Sequence, residues 1–393
     1  MKKKTICLIT NWYPTEENPF QGAFFREQAL ALHDYFDFMV VHYRFHYQVI
    51  RNGCQTKLYK EEENLKEYQI DLNIPRAVTC LKRFIYHNKF DLEVELSERL
   101  ADAFKEGINN SFDILYCVSG QFEAGYLKKI AAIYKKPYVV SEHAPIPWPN
   151  TVVSEFNKKG IESADLLLLI SYDKLRQIMM QNINVPRFAY VGNMVEPDKF
   201  TYKPSNSVIK TFIVVGAHVF FKNYPLLIKI MLRLKQITLT PFKLLIVGYG
   251  ANKGYAENIE ILEKIIAESE LAQCTEMIPA VEHDYMAELY HRADAFVMTS
   301  IQEGLPVSAI EAGCCGLPVF STCCGGVEDY VTDQIGRIYK IMDSETFAHG
   351  LCDFLEGRIS FDAKYIRRSI IEKFGKEAFV KNIANAFHSV LEE

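Results

Sequence analysis

The sequence predicts an α/β protein built from two doubly wound, Rossmann-like domains with parallel sheets. Short apolar runs alternate with amphipathic stretches of helical length along the whole chain, which calls for crossover connections between parallel strands. The chain has 393 residues, and at about 150 residues per domain that is enough for two or three cores. The strand–helix pattern also restarts once, after residue 208.

In the first half, residues 5–10 read as a buried strand. A loop punctuated by Pro14 and Gly22 follows, and residues 24–33 have helical apolar spacing. Further strands are predicted at 38–43, 114–118, 138–141 and 166–171. The stretch 196–208 is polar, carries Pro197 and Pro204 and lacks periodicity. It is therefore expected to be a linker between an N-terminal domain, 1–195, and a C-terminal domain, 209–375. The second domain has predicted strands at 211–216, 243–248, 276–278, 295–299 and 318–321, each followed by Gly or Pro and a helix-like stretch. Residues 361–393 read as helix. Two such domains are expected to face a central cleft with the carboxyl ends of their strands, where open α/β sheets bind ligands.

Composition narrows the function. Apolar residues make up 49% and charged residues 24%, which excludes disorder. Residues 1–200 carry 25 basic and 25 acidic groups and the net charge is −5, so no basic face points to nucleic acid. The apolar run at 6–9, behind three lysines, is too short for a signal peptide, and no stretch approaches the roughly 18 apolar residues of a membrane span. A cytoplasmic protein is expected. The ten cysteines are then reduced. The doublets Cys314-Cys315 and Cys323-Cys324 lack Cys-x2-Cys spacing and a nearby His, so they read as small buried hydrophobes and no metal site is expected.

The segment from Ser300 to Gly313 is the most informative. A strand ends in a loop holding Glu303, Pro306 suits the first turn of the next helix, and Glu311 lies about one and a half turns inside. Two carboxylates thus flank the free amides of a helix N-terminus, an arrangement suited to a polyhydroxylated anion. A capped helix with two solvated glutamates has the same spacing.

Glu303 and Glu311, separated by seven residues within Glu-Gly-Leu-Pro-Val-Ser-Ala-Ile-Glu-Ala-Gly, resemble the donor signature of retaining glycosyltransferases of family 4, which have the GT-B fold. Ala217 to Leu227 resembles that family's phosphate-binding loop, and Trp12-Tyr-Pro14 to Gln28 its first loop. The resemblance implies that Glu311 holds the ribose of a UDP- or GDP-sugar and that Glu303 contacts the donor sugar. Gly304, Leu305, Pro306 and Val307 would approach the sugar or diphosphate, and Lys222, after Gly216, would neutralise the leaving group. Gly22 and His143 would face the donor from the first domain, and Val281 lies where the base is recognised. Residues from about 376 onward would cross back to that domain.

Such enzymes usually carry Arg directly after the loop glycine, and this chain has Ala217. His218 or Arg26 are the candidate substitutes. Glu142 is either the orienting partner of His143 or a surface residue. Gly325-Gly326 reads as a second phosphate-facing turn or an ordinary tight connection. Gly248-Tyr-Gly250 is a weak dinucleotide-like signal whose third glycine, Gly254, falls outside the fingerprint spacing.

The implied function is retaining, metal-independent transfer of a hexose-type sugar from a nucleotide sugar to a glycan or lipid-linked acceptor, in surface polysaccharide or glycolipid synthesis, with no cofactor. The alternatives are a nucleotide-sugar epimerase and a non-catalytic sugar-nucleotide-binding subunit. The basic and aromatic stretch 81–90, with Lys128-Lys129 and Lys135-Lys136, is either a solvated face or a peripheral contact with the inner membrane surface.

Overall fold

The computed structural model describes residues 3–16, 21–48, 53–75, 89–108, 111–144, 152–204, 207–249 and 256–392. The chain divides into two compact units, Met1–Val191 with Val380–Glu393, and Gly192–Phe379.

The first unit contains an eight-stranded sheet. Its strands are β1 (Lys4–Thr10), β2 (Phe36–Gln48), β3 (Gly53–Glu62), β4 (Leu65–Pro75), β5 (Ile114–Cys117), β6 (Tyr138–Ser141), β7 (Leu166–Leu169) and β8 (Phe188–Tyr190), in the order β3-β4-β2-β1-β5-β6-β7-β8. All pairings are parallel except β3–β4, which is antiparallel. β5, β6 and β7 are buried at every position, as parallel strands covered on both faces must be. The hairpin β3–β4 was not legible in the sequence: β3 is an exposed edge strand rich in Lys and Glu, so it has no alternation of apolar and polar faces.

The second unit contains six parallel strands, β9 (Lys210–Val215), β10 (Phe242–Tyr249), β11 (Thr275–Pro279), β12 (Ala295–Met298), β13 (Val319–Thr322) and β14 (Gly336–Tyr339), ordered β11-β10-β9-β12-β13-β14. Numbered within the unit, this is 3-2-1-4-5-6, the doubly wound order, and its direction reverses between β9 and β12. The helices Tyr224–Ile237 and Ser344–Leu355 cover one face of the core through Leu227, Ile230, Leu234, Phe347 and Leu351.

Two expectations are corrected. The stretch expected as a linker, 196–208, groups with the second unit. Phe200 is 1% exposed, Val195 pairs with Gly375, and Arg367 donates to the carbonyls of Pro197, Phe200 and Cys314. Local polarity cannot reveal partners more than 160 residues away. The C-terminal segment is also two helices, Ala363–Phe374 and Lys376–Leu391, interrupted at Gly375.

Candidate functional site

Ligands of a doubly wound sheet bind where the strand order reverses, and the loops after β9 and β12 meet at that point of the second unit. After β9 the chain passes Gly216 and turns through Phe220–Lys222 into the helix Tyr224–Ile237. Lys222 lies across the glycine: a Cβ on Gly216 would sit 2.9 Å from Lys222 Cε. Tyr224 OH donates to Gly216 O at 2.7 Å, which fixes the loop.

The ammonium of Lys222 is 2.9 Å from Glu303 Oε1, and Ser300 Oγ donates to the same oxygen at 2.7 Å. The loop that carries Glu303 is held by its own neighbours. Glu303 N donates to Cys324 O, Thr322 Oγ1 to Ser300 O, and Asn193 Nδ2 to Leu305 O. Pro306 is the N-cap of the helix Val307–Cys314, one position earlier than expected. Ala309 N makes the first bond back to Pro306 O, so Val307 and Ser308 are the orphan donors of a helix start.

Glu311 is buried, its side chain only 6% exposed, and both its oxygens are engaged. His283 Nε2 is 2.6 Å from Oε1 and Tyr290 OH donates to Oε2 at 2.9 Å. Lys199 Nζ is 3.0 Å from His283 Nδ1 and 2.6 Å from Asp284 Oδ1. Sequence reasoning missed His283, Tyr290 and Lys199. The position of His283, two residues after the base-site candidate Val281, was the only signal for it. Val281 itself is half-buried between β11 and the turn His283–Tyr285.

Residues 198–373 match the family glycosyl transferases group 1. Over 296 residues the chain is 24% identical to the D-inositol 3-phosphate glycosyltransferase of Mycobacteroides abscessus, covering 68% of this chain and 65% of the relative. Over 182 residues it is 24% identical to the phosphatidylinositol N-acetylglucosaminyltransferase gpi3 subunit of Schizosaccharomyces pombe, covering 45% and 38%. It thus spans less than two thirds of the length of these relatives. Among solved structures, sucrose-phosphate synthase from Thermosynechococcus elongatus superposes with a TM-score of 0.77 at 17% identity, covering 99% and 100% of the two chains. Anabaena Alr3699/HepE in complex with UDP-glucose gives 0.68 at 14% identity, covering 98% and 99%. The fold is GT-B.

The second unit brings Lys222 against Glu303 beside Gly216, while Glu311, on the helix that follows Gly304, Leu305, Pro306 and Val307, is held by His283 and Tyr290. The other expected site residues fall differently. His218 stacks on Tyr224, with ring centroids 4.7 Å apart, and lines a cavity of about 370 Å³. Burial lowers its pKa from the ordinary imidazole value, so at neutral pH it carries no charge to replace the missing Arg. Gly325 N donates to the carboxylate of Glu328, so that amide is already used within its own turn. Gly250 and Gly254 lie outside the described residues, as does 81–88. Cys314, Cys315 and Cys324 are buried, but Cys323 is exposed, against expectation, because it stands just past the end of β13.

In the first unit, Gly22 has φ +65, and a Cβ there would meet Trp12 O at 2.4 Å, so glycine is required for the loop to pack. His143 follows β6, and its ring meets Phe25 edge-on at 5.0 Å. Arg26 is committed to Glu67 and Glu62, at 3.0 and 2.6 Å. Lys128 binds Lys159 O and Ser163 Oγ, and Lys129 pairs with Glu98. Among the described residues no helix is long and apolar enough to cross a membrane.

The reading of Glu142 as a surface residue is corrected. It is fully buried, and its carboxylate accepts from the amides of Gln121, at 2.7 Å, and Ala144, at 2.8 Å, so it fastens the strand end that carries His143. Burial pushes its pKa up to about 7, while Lys174 and these amides act in the other direction. The folded protein then holds a proton that the unfolded chain has released between about pH 4.5 and 7, so this group's contribution to stability falls as pH rises through that range. Glu142→Gln keeps one acceptor oxygen for the two amides that bond the carboxylate, so it is expected to be less stable than the native protein at pH 5 and to recover about 1–2 kcal/mol of that deficit by pH 8. Urea unfolding at the two pH values measures the difference.

Proposed function

We propose that this chain is a retaining, metal-independent glycosyltransferase of the family 4 type. It moves a hexose-type sugar from a UDP- or GDP-sugar to a hydroxyl of a glycan or lipid-linked acceptor, in surface polysaccharide or glycolipid synthesis. The observation that carries this reading is the pairing of Lys222 with Glu303 at the switch point of the unit that matches group 1, followed by Glu311 on the helix that starts at Val307. The UDP-glucose bound by HepE supports a nucleotide-sugar donor.

In this reading each group has a task set by its chemistry. Glu311 accepts from ribose hydroxyls and Glu303 from a hydroxyl of the transferred sugar. Lys222 and the orphan amides at Val307 and Ser308 stabilise charge on the departing diphosphate, which takes the proton of the incoming hydroxyl as the new glycosidic bond forms. Lys222 exchanges its partner Glu303 for phosphate oxygen when the donor enters.

The test is a thermal-shift and donor-hydrolysis screen with UDP-, GDP- and ADP-sugars in EDTA, run on the native protein and on Glu311→Ala. One donor is expected to stabilise the native protein and be hydrolysed slowly. The variant is expected to bind it at least tenfold more weakly, the cost of about 1.4 kcal/mol or more. A native protein that responds to no nucleotide sugar overturns the proposal. Ala217 and the commitment of Arg26 to two carboxylates favour a second reading, a non-catalytic sugar-nucleotide-binding subunit. It predicts donor binding without turnover when acceptors are supplied.

A further inference from the structure

We infer that Lys199 and His283 are positioning residues for Glu311, and that together they make donor binding sensitive to the ribose hydroxyls; this rests on the reading of Glu311 as the ribose contact. The chemistry of the donors allows one arrangement. The Lys199 ammonium has three N–H donors and no acceptor, so His283 Nδ1, 3.0 Å away, must accept from it. The ring proton therefore sits on Nε2, which faces Glu311 Oε1 at 2.6 Å and donates to it. The opposite oxygen accepts from Tyr290 OH at 2.9 Å. Glu311 is held at both oxygens by donors anchored in different elements, the turn His283–Tyr285 and the short helix Met286–Tyr290.

The rest of the surroundings fits a built support. Asp284 Oδ1 accepts a second hydrogen bond from the Lys199 ammonium, at 2.6 Å. The imidazole packs against Phe200, with ring centroids 5.5 Å apart, and Phe200 also meets Tyr290 at 6.0 Å. Lys199 and Phe200 belong to the stretch expected as a linker, so that segment serves the site. A carboxylate accepts about four hydrogen bonds. The two side-chain donors leave lone pairs for the two hydroxyls of a ribose, in a direction set by His283 and Tyr290. His283 itself is 41% exposed at its side chain and stands at the border of the site.

The experiment measures binding of UDP and GDP, and of their 2′-deoxy and 3′-deoxy counterparts, to the native protein, Glu311→Gln, His283→Leu, His283→Gln and Lys199→Met. The native protein is expected to favour the ribonucleotide at least tenfold. His283→Leu is expected to lose most of that ratio while binding the deoxy forms about as the native protein does. His283→Gln, whose amide can donate in place of Nε2, retains it. Nitrogen-15 spectra of labelled histidine report the tautomer independently of any ligand: the Nε2–H form in the native protein and a mixture in Lys199→Met. A Nδ1–H tautomer in the native protein overturns the inference. So does a ribose preference that Glu311→Gln abolishes and His283→Leu keeps. A native protein with no ribose preference overturns the reading of Glu311 itself, and this inference with it.

Discussion

Replacing Lys222 with alanine is expected to lower kcat for sugar transfer by about 10²–10³-fold, the usual cost of removing one preorganised donor from a site where negative charge develops. The effect is placed at the high end of substitutions in this protein because, among the described residues, none of the positions that the resemblance marks for a second cation supplies one. The position after Gly216 is Ala217, His218 is uncharged at neutral pH, and Arg26 is occupied by Glu62 and Glu67. The departing diphosphate would be met by one ammonium and by amide dipoles. Lys222→Arg keeps the charge and is expected to retain more than a tenth of the native rate. Single-turnover rates at saturating donor separate this from a binding defect. A Lys222→Ala variant within threefold of the native rate removes Lys222 from the mechanism. The variant also removes the ammonium from the Glu303 carboxylate, which keeps the bond from Ser300, so its unfolding curve is measured alongside.

Gly326→Ala is expected to disable the donor loop and to destabilise the domain by on the order of 3 kcal/mol. Gly326 has φ +74, and a Cβ there would lie 2.4 Å from Gly304 O and 2.8 Å from Leu305 Cα. Backbone cannot yield as a flexible side chain can, so the Gly304–Leu305 segment must move, and with it the start of the helix that presents Val307. Gly357→Ala is the natural control. It has φ +76 but nothing within 4 Å of the added carbon, so it carries only the conformational cost of about 1–2 kcal/mol. Loss of nucleotide binding in Gly326→Ala but not in Gly357→Ala separates the donor loop from general strain. Equal behaviour of the two variants shows that the contact with Gly304 does not shape the site.

Local chemistry and tertiary structure made different contributions to these expectations. The parallel sheets were legible because buried strands leave uninterrupted apolar runs such as Leu166–Leu169, and crossover helices leave amphipathic ones. The spacing of Glu303 and Glu311 fitted a capped helix as well as a ligand site, and it was the resemblance of their segments to retaining glycosyltransferases of family 4 that singled out these two and Lys222. That pattern is local in sequence. The exposed edge strand β3 left no such trace, since neither of its faces is buried.

What the chain by itself determined is the order of the strands, the loops that follow them, and the residue types those loops carry. Only the tertiary structure decided which of these residues meet. The ammonium of Lys222 reaches a carboxylate 81 residues away. Glu142 proves to be a buried clamp. Lys199 leaves an apparent linker to hold His283 against Glu311, 28 residues beyond that histidine. Hydrogen bonds and ion pairs are fixed by a few ångströms in space, and a sequence records distance along the chain, which folding at the switch point of the sheet does not preserve.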